Sequence, residues 1–174
     1  MSEINSSIAT LQNLLDFEAS KFISAEIELK RILPEWIKIA GSLKLKNVLQ
    51  KYQDLVEQHV QMMEAFYEEE KITLLSIENR ITMAYIHDAE DKLKTCSDSA
   101  IKDSCLLASI QSINHFKISM YGTAAAFAKT LSLEKAASVF HGFVTNEKQI
   151  DDRLSQLAEY EINSKAKSLV ELSA

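Results

Sequence analysis

The sequence predicts an all-α fold: four long helices arranged as two hairpins, joined by a shorter crossover helix. Apolar residues recur at spacings of three and four along almost the whole chain, and no stretch sustains the period-two alternation of a half-buried strand. Three glycines and one proline in 174 residues leave little material for the tight turns that an all-β fold needs. Two long periodic segments, a connector of about 25 residues and two more long segments give the hairpin–crossover–hairpin order.

The elements follow in chain order. A first helix is read from about Ile8 to Ala40, with Pro34 expected to kink it or split off its last turn. Gly41-Ser42 breaks the pattern, and a second helix runs from about Leu43 to Glu70. The crossover is placed at Leu74 to Leu93, with Leu74, Ile77, Ile81, Ala84 and Tyr85 on one side. The polar run Thr95 to Ser99 reads as a loop that supplies an N-cap. A third long helix follows from about Ala100 to Thr130, and Ser132 is expected to cap a fourth that ends near Glu161. Residues 163–174 carry weak helical character and are expected to fray. No Gly/Pro-rich linker divides the chain, so residues 1–174 are read as one domain.

Composition narrows the function. Hydrophobic residues make up 47% and charged residues 25%, a globular balance. The net charge of −6 argues against a phosphate-tracking nucleic-acid surface. No apolar run is long enough to span a bilayer, and the N-terminus lacks the basic start and apolar stretch of a signal peptide. A cytoplasmic protein is the resulting expectation. Cys96 and Cys105, nine apart, then read as reduced thiols. No CxxC, HExxH, GxGxxG or P-loop is present.

The inward stripes carry the informative exceptions. They read Leu15, Phe22, Glu26, Leu29, Leu33 in the first helix and Val48, Tyr52, Leu55, His59, Met62, Phe66 in the second. The third gives Leu107, Ile110, Asn114, Lys117, Tyr121, Ala124, Ala128, and the fourth Phe140, Phe143, Glu147, Ile150, Leu154, Leu157. Glu26 stands 15 residues before Gly41 and His59 stands 18 after it; Lys117 and Glu147 each stand 15 from Ser132. At 1.5 Å per residue all four lie roughly 22–27 Å from their turns. Level hairpins would therefore gather them in one interior layer, and buried charge is costly unless paired or metal-bound. Carboxylates and imidazoles at such a level are how di-metal carboxylate bundles hold iron or manganese. The competing expectation for Lys117 is a side chain that snorkels out from the bundle edge.

These residues resemble the YciE/YciF-like family of small ferritin-like bacterial proteins associated with stress responses, over about residues 11–163. Ala25-Glu26-Ile27-Glu28-Leu29 with Leu33-Pro34 is similar to the family's AExQL…LP segment, and Lys102-Asp103 opens a stretch like its DxxL. Asn114-His115-Phe116-Lys117-Ile118 stands where the family has EHxEI, followed by Tyr121-Gly122-Thr123 like its YGT. Asn146-Glu147-Lys148-Gln149-Ile150-Asp151 stands where it has EEKxxD. The resemblance implies a ferritin-like four-helix bundle with a crossover helix, and a homodimer. It also implies a depleted metal site. Asn114, Lys117 and Asn146 replace carboxylates, while Tyr52 and Leu55 stand where the family carries a His and a Glu. Glu26, His59, Glu147 and Asp151 remain as a vestigial or single-ion set, with His115 beside them but off the stripe.

Three readings follow. The favoured one is a non-catalytic protein, structural or partner-binding, with no cofactor and with Lys117 balancing Glu26 and Glu147. The second retains one iron or manganese ion with oxidase or peroxide-handling chemistry. The third uses the bundle interior for an apolar ligand. A homodimer is expected through a second apolar line on the third helix, Phe116, Met120, Thr123, Phe127 and Leu131, with no nucleic acid or membrane partner.

Overall fold

The structure is a computed structural model and describes residues 8–72 and 77–167. Its helices are α1 (Leu11–Ala19), α2 (Phe22–Ile39), α3 (Leu43–Glu69), α4 (Arg80–Thr95), α5 (Ser99–Thr130) and α6 (Glu134–Leu157). A π-helical turn (Ala158–Ile162) and a short α7 (Asn163–Lys167) close the described chain. Helices α2 and α3 form one hairpin and α5 and α6 the other, with α4 as the crossover packed on α2 and α5. This is the all-α bundle of two hairpins that the periodicity predicts. Among the described residues, no helix is long and apolar enough to cross a membrane.

The first helix breaks at Ser20-Lys21, not at Pro34. The Ser20 carbonyl accepts from the Ile77 N–H (3.0 Å), so the incoming crossover takes the acceptor that a continuous helix would use. Helix α2 runs through Pro34 to Ile39. Pro34 removes one helix hydrogen bond, but Leu33 and Trp36, 0% and 1% exposed, anchor the chain on both sides of it.

Caps set the other ends. Asn79 Oδ1 accepts from Thr82 N (3.0 Å) and starts α4, so the crossover helix begins later than its apolar pattern suggests. The buried face of α4 is Thr82, Ile86, Ala89 and Leu93; Ile81 and Ala84 are exposed, Ile77 precedes the helix, and Leu74 lies outside the described residues. Asp98 caps α5 through the N–H groups of Ala100 and Ile101. Ser132 does not cap α6. It takes a left-handed conformation (φ 57°) that ends α5, with Leu133 N donating back to Ala128 O, and Leu133 precedes α6 without a side-chain cap.

One long-range contact fixes the hairpins against each other. Asp103 on α5 accepts from the N–H groups of Gly41 and Ser42, both at 2.7 Å, at the turn between α2 and α3. A Cβ at Gly41 would stand 3.3 Å from Asp103 Oδ2, so the close approach favours glycine there.

The core has two apolar halves. One gathers Leu29, Leu33, Trp36, Leu49, Ile110 and Leu154 with the buried face of α4. The other gathers Leu15, Phe22, Met63, Tyr121, Phe140 and Phe143. Each long helix passes from one half to the other through Glu26, His59, Asn114 with Lys117, or Glu147. The stripe read for α3 needs correction: Leu45, Leu49, Val56, Val60 and Met63 face in, while Met62 is 46% exposed. Tyr52, His59 and Phe66 belong to both versions.

Candidate functional site

Glu26, His59, Asn114, Lys117 and Glu147 are each 0% exposed and lie in one layer between the apolar halves. Level packing of the hairpins puts them there, because each stands a similar number of residues from its turn. Lys117 therefore does not snorkel from the bundle edge. Its Nζ lies 2.9 Å from Glu26 Oε2, 2.6 Å from Glu147 Oε1 and 3.3 Å from the Tyr52 hydroxyl. An ammonium has three N–H donors, and three oxygens stand around this one. The approach to Glu147 Oε1 is close in distance but off the hydrogen-bond axis, so it is an ion pair without a well-aligned hydrogen bond.

The remaining carboxylate oxygens are also occupied. Glu26 Oε1 accepts from the Tyr121 hydroxyl and faces His59 Nδ1 at 3.1 Å. Glu147 Oε2 accepts from the Tyr52 hydroxyl at 2.8 Å and from Asn114 Nδ2 at 2.7 Å. The Asn114 amide also donates to the Glu147 backbone carbonyl at 3.0 Å. Asn146 Nδ2 stands 3.3 Å from His59 Nε2, which assigns the ring proton to Nδ1, toward Glu26. Phe143 packs on the imidazole with ring centroids 4.3 Å apart.

The electrostatics follow from this packing. Burial pushes the Glu26 carboxyl up, but the Lys117 charge and the His59 and Tyr121 hydrogen bonds outweigh it and hold the group at about 2. For Lys117 burial alone favours the neutral amine; the charges of Glu147 and Glu26 reverse this and raise it above its usual value. Burial and then the neighbouring carboxylates push Tyr52 and Tyr121 well above the ordinary phenol range, so both remain donors.

Metal binding can be tested against this donor set. Glu26, His59 and Glu147 each offer a ligand atom, and these atoms lie within 4.8 Å of one another, a metal-site-like triad. As arranged, the triad does not fit a divalent cation. The Lys117 ammonium fills the space between the carboxylates, and every carboxylate oxygen already faces a protein donor or cation. Asp151 is not brought into the layer; it pairs with the exposed His115 Nε2 at 2.8 Å. Tyr121 is the donor that reading the stripe for charge alone misses. Its signal is its place one turn beyond Lys117 on the same inward line.

The chain is similar to known proteins along most of its length. A family model described as a domain of unknown function (DUF892) matches residues 10–167. Protein YciF of Escherichia coli (strain K12) is 24% identical over 160 residues, which covers 91% of this chain and 96% of that protein. The crystal structure of the E. coli stress protein YciF matches with a TM-score of 0.84 at 23% identity, covering 90% of this chain and 99% of that one. The structure of YcfI from Rhodopseudomonas palustris matches with a TM-score of 0.83 at 19% identity, covering 88% and 98%. At these identities the structural likeness speaks to the fold.

Proposed function

The chain belongs to the family described as a domain of unknown function (DUF892), and from that premise we propose that it is a non-catalytic, ferritin-like bundle in which a lysine does the work of a metal. The observation that carries the reading is the Lys117 ammonium, 2.9 and 2.6 Å from Glu26 and Glu147. A ferritin-like site neutralises facing carboxylates with divalent ions; here a side chain supplies the positive charge. The protein then needs no cofactor to hold its four helices together, and its role is structural or partner-binding. The stress association of the relative YciF supports placing that role in a stress response.

A homodimer fits this role. Helix α4 covers one end of the second apolar line of α5, where Tyr85 meets Phe116 (ring centroids 6.0 Å) and Asn79 Nδ2 meets Met120 Sδ (3.6 Å). Phe127 and Leu131 lie beyond that cover, half-buried and packed in part on the chain's own core, and their exposed edges are the part of the line left for a second copy.

Metal content is the direct test. After expression in iron-supplemented medium and dialysis, elemental analysis should find far less than one equivalent of iron or manganese. The variant Asn114→Glu/Lys117→Glu/Asn146→Glu removes the internal cation and restores three carboxylates. It should melt early without metal and recover when ferrous or manganous ion is added. Near two tightly held equivalents in the parent would overturn the proposal. One equivalent would support a second reading, favoured by the Glu26–His59–Glu147 triad, in which a single ion displaces the ammonium.

A further inference from the structure

Cys96 and Cys105 stand apart from the buried layer, on the hairpin made by α4 and α5. Cys96 closes α4, and its thiol turns back to donate to Lys92 O at 3.3 Å. That bond holds the sulfur over the last turn of the helix instead of out in the loop. Cys105 lies in the second turn of α5, about 9 Å along the helix from its start. Only residues 96–98 join the two helices, which pack side by side, so the last turn of α4 lies alongside the first turns of α5. The polar neighbours of the Cys105 thiol are the Cys96 thiol, the Lys92 ammonium and the Ser109 hydroxyl. Both cysteines are free and half-buried, within reach of a small reagent.

We propose that Cys96 and Cys105 form a reversible dithiol–disulfide site whose substrates are low-molecular-weight disulfides, and whose oxidised form ties the end of the crossover helix to α5. The exchange proceeds in two displacements. The Cys96 thiolate attacks one sulfur of the external disulfide. A protein–small-thiol S–S bond forms as the external S–S bond breaks, and the first small thiolate departs with the electron pair and is protonated. The Cys105 thiolate then attacks Sγ of Cys96, and the second small thiolate leaves and is protonated in turn. Two protein thiols are oxidised, one external disulfide is reduced to two thiols, and the two protein protons end on the released thiols. Cys96 acts first, because burial and the neighbouring Cys96 thiol push the Cys105 thiol up while both are reduced. Once Cys96 is held in the mixed disulfide that opposition is gone, and Cys105 gives up its proton through solvent as it attacks. The ring so closed contains residues 96–105. None of these groups belongs to the buried layer, so the outcome is independent of the metal reading.

The test uses the full chain under native conditions with oxidised glutathione as the probe. Intact mass should fall by two hydrogens with no glutathione retained, and peptide mapping should join Cys96 to Cys105. Dithiothreitol should restore the reduced mass, and the oxidised form should melt at a higher temperature. Cys105→Ser should trap one glutathione on Cys96, since the resolving thiol is gone. Two persistent adducts, a covalent dimer, or thiols that stay unreacted across a range of glutathione ratios would each overturn the proposal. These outcomes are all read on the unsubstituted protein, so the test decides even if a variant folds poorly.

Discussion

Two lysines in this molecule each sit between two glutamates, at nearly the same distances and in opposite surroundings. Lys117 lies 2.9 Å from Glu26 and 2.6 Å from Glu147, with all three side chains 0% exposed. Lys135 lies 2.6 Å from Glu69 and 2.8 Å from Glu70, with its side chain 47% exposed. Coulomb's law at equal separation differs only through the dielectric, and the cost of desolvation enters only for the buried trio. Contact distances therefore say little about what either cluster does. Water decides: at the surface it competes for each charge, whereas in the layer each charge depends wholly on its protein partners.

Removing Lys117 should produce the largest effect. Lys117→Ala leaves Glu26 and Glu147 buried without their cation, and breaking a buried ion pair in this way costs about 3–5 kcal/mol. Part of that loss would be the cavity, so Lys117→Met serves as the companion: it restores volume but not charge, and should remain strongly destabilised. Glu26→Gln/Lys117→Met/Glu147→Gln removes all three charges together and should recover most of the stability, since a neutral layer of similar volume bears no unpaired ion. Urea denaturation of the three variants is the measurement. If Lys117→Met matches the parent, the layer is not a charge-balanced unit.

Much of this layer could be read in the sequence. Glu26 and Lys117 stand 91 residues apart, the same offset as Gly41 and Ser132, so turn-to-turn alignment alone puts them level. The residues read for the inward stripes of α2 and α5 are all buried, and those of α6 are buried up to Leu154. Helix α3 was legible at Tyr52, His59 and Phe66 but not between them, because its partly buried Val48 and Leu55 offer a second line beside Leu49 and Val56. What escaped was mostly tertiary. The break at Ser20 depends on the Ile77 N–H, and the Gly41 turn, placed correctly by the sequence, is clamped by an Asp103 more than 60 residues away that the sequence does not point to. The bend at Ser132 is local: a left-handed serine resembles a capping residue. Asp151 matched a family ligand position but packs on the outside with His115, since a helical motif does not fix which turn of its face a neighbour covers.

Acid should separate the two clusters next. Glu26 is held at about 2 against an ordinary 4.5, so the folded carboxyl gives up its proton more readily than the unfolded one. Between those values the unfolded chain binds more protons. The stabilisation is therefore complete above about 4.5 and is lost as pH falls toward about 2, on the order of 3 kcal/mol in all. Other carboxylates titrate in the same range, so the informative quantity is the difference between the parent and Lys117→Met. Without the ammonium, only the His59 and Tyr121 contacts oppose burial at Glu26, and its share of the acid sensitivity should shrink. Urea midpoints measured from about pH 5 down to about pH 3 would follow this limb. Parallel curves for the two proteins would show that Lys117 does not control Glu26.

Lys135→Ala should have the smallest effect, with no measurable change in the denaturation midpoint. Its two contacts are as short as those of Lys117, and hydrogen bonds to Glu69 and Glu70 raise its proton affinity. Solvent screens the pair, however, and holding long exposed side chains in one geometry costs rotamer entropy. The helix ends add a compensation. Glu68, Glu69 and Glu70 place negative charge at the C-terminal end of α3, and Lys135 places positive charge in the first turn of α6, each opposed by its helix dipole. The bridge relieves the first conflict, while deleting Lys135 relieves the second, so the two changes offset. Added salt should likewise leave the parent and the variant together. If Lys135→Ala lowered the midpoint as much as Lys117→Met, solvent exposure would not be what divides these clusters, and the short contacts themselves would have to carry the energy.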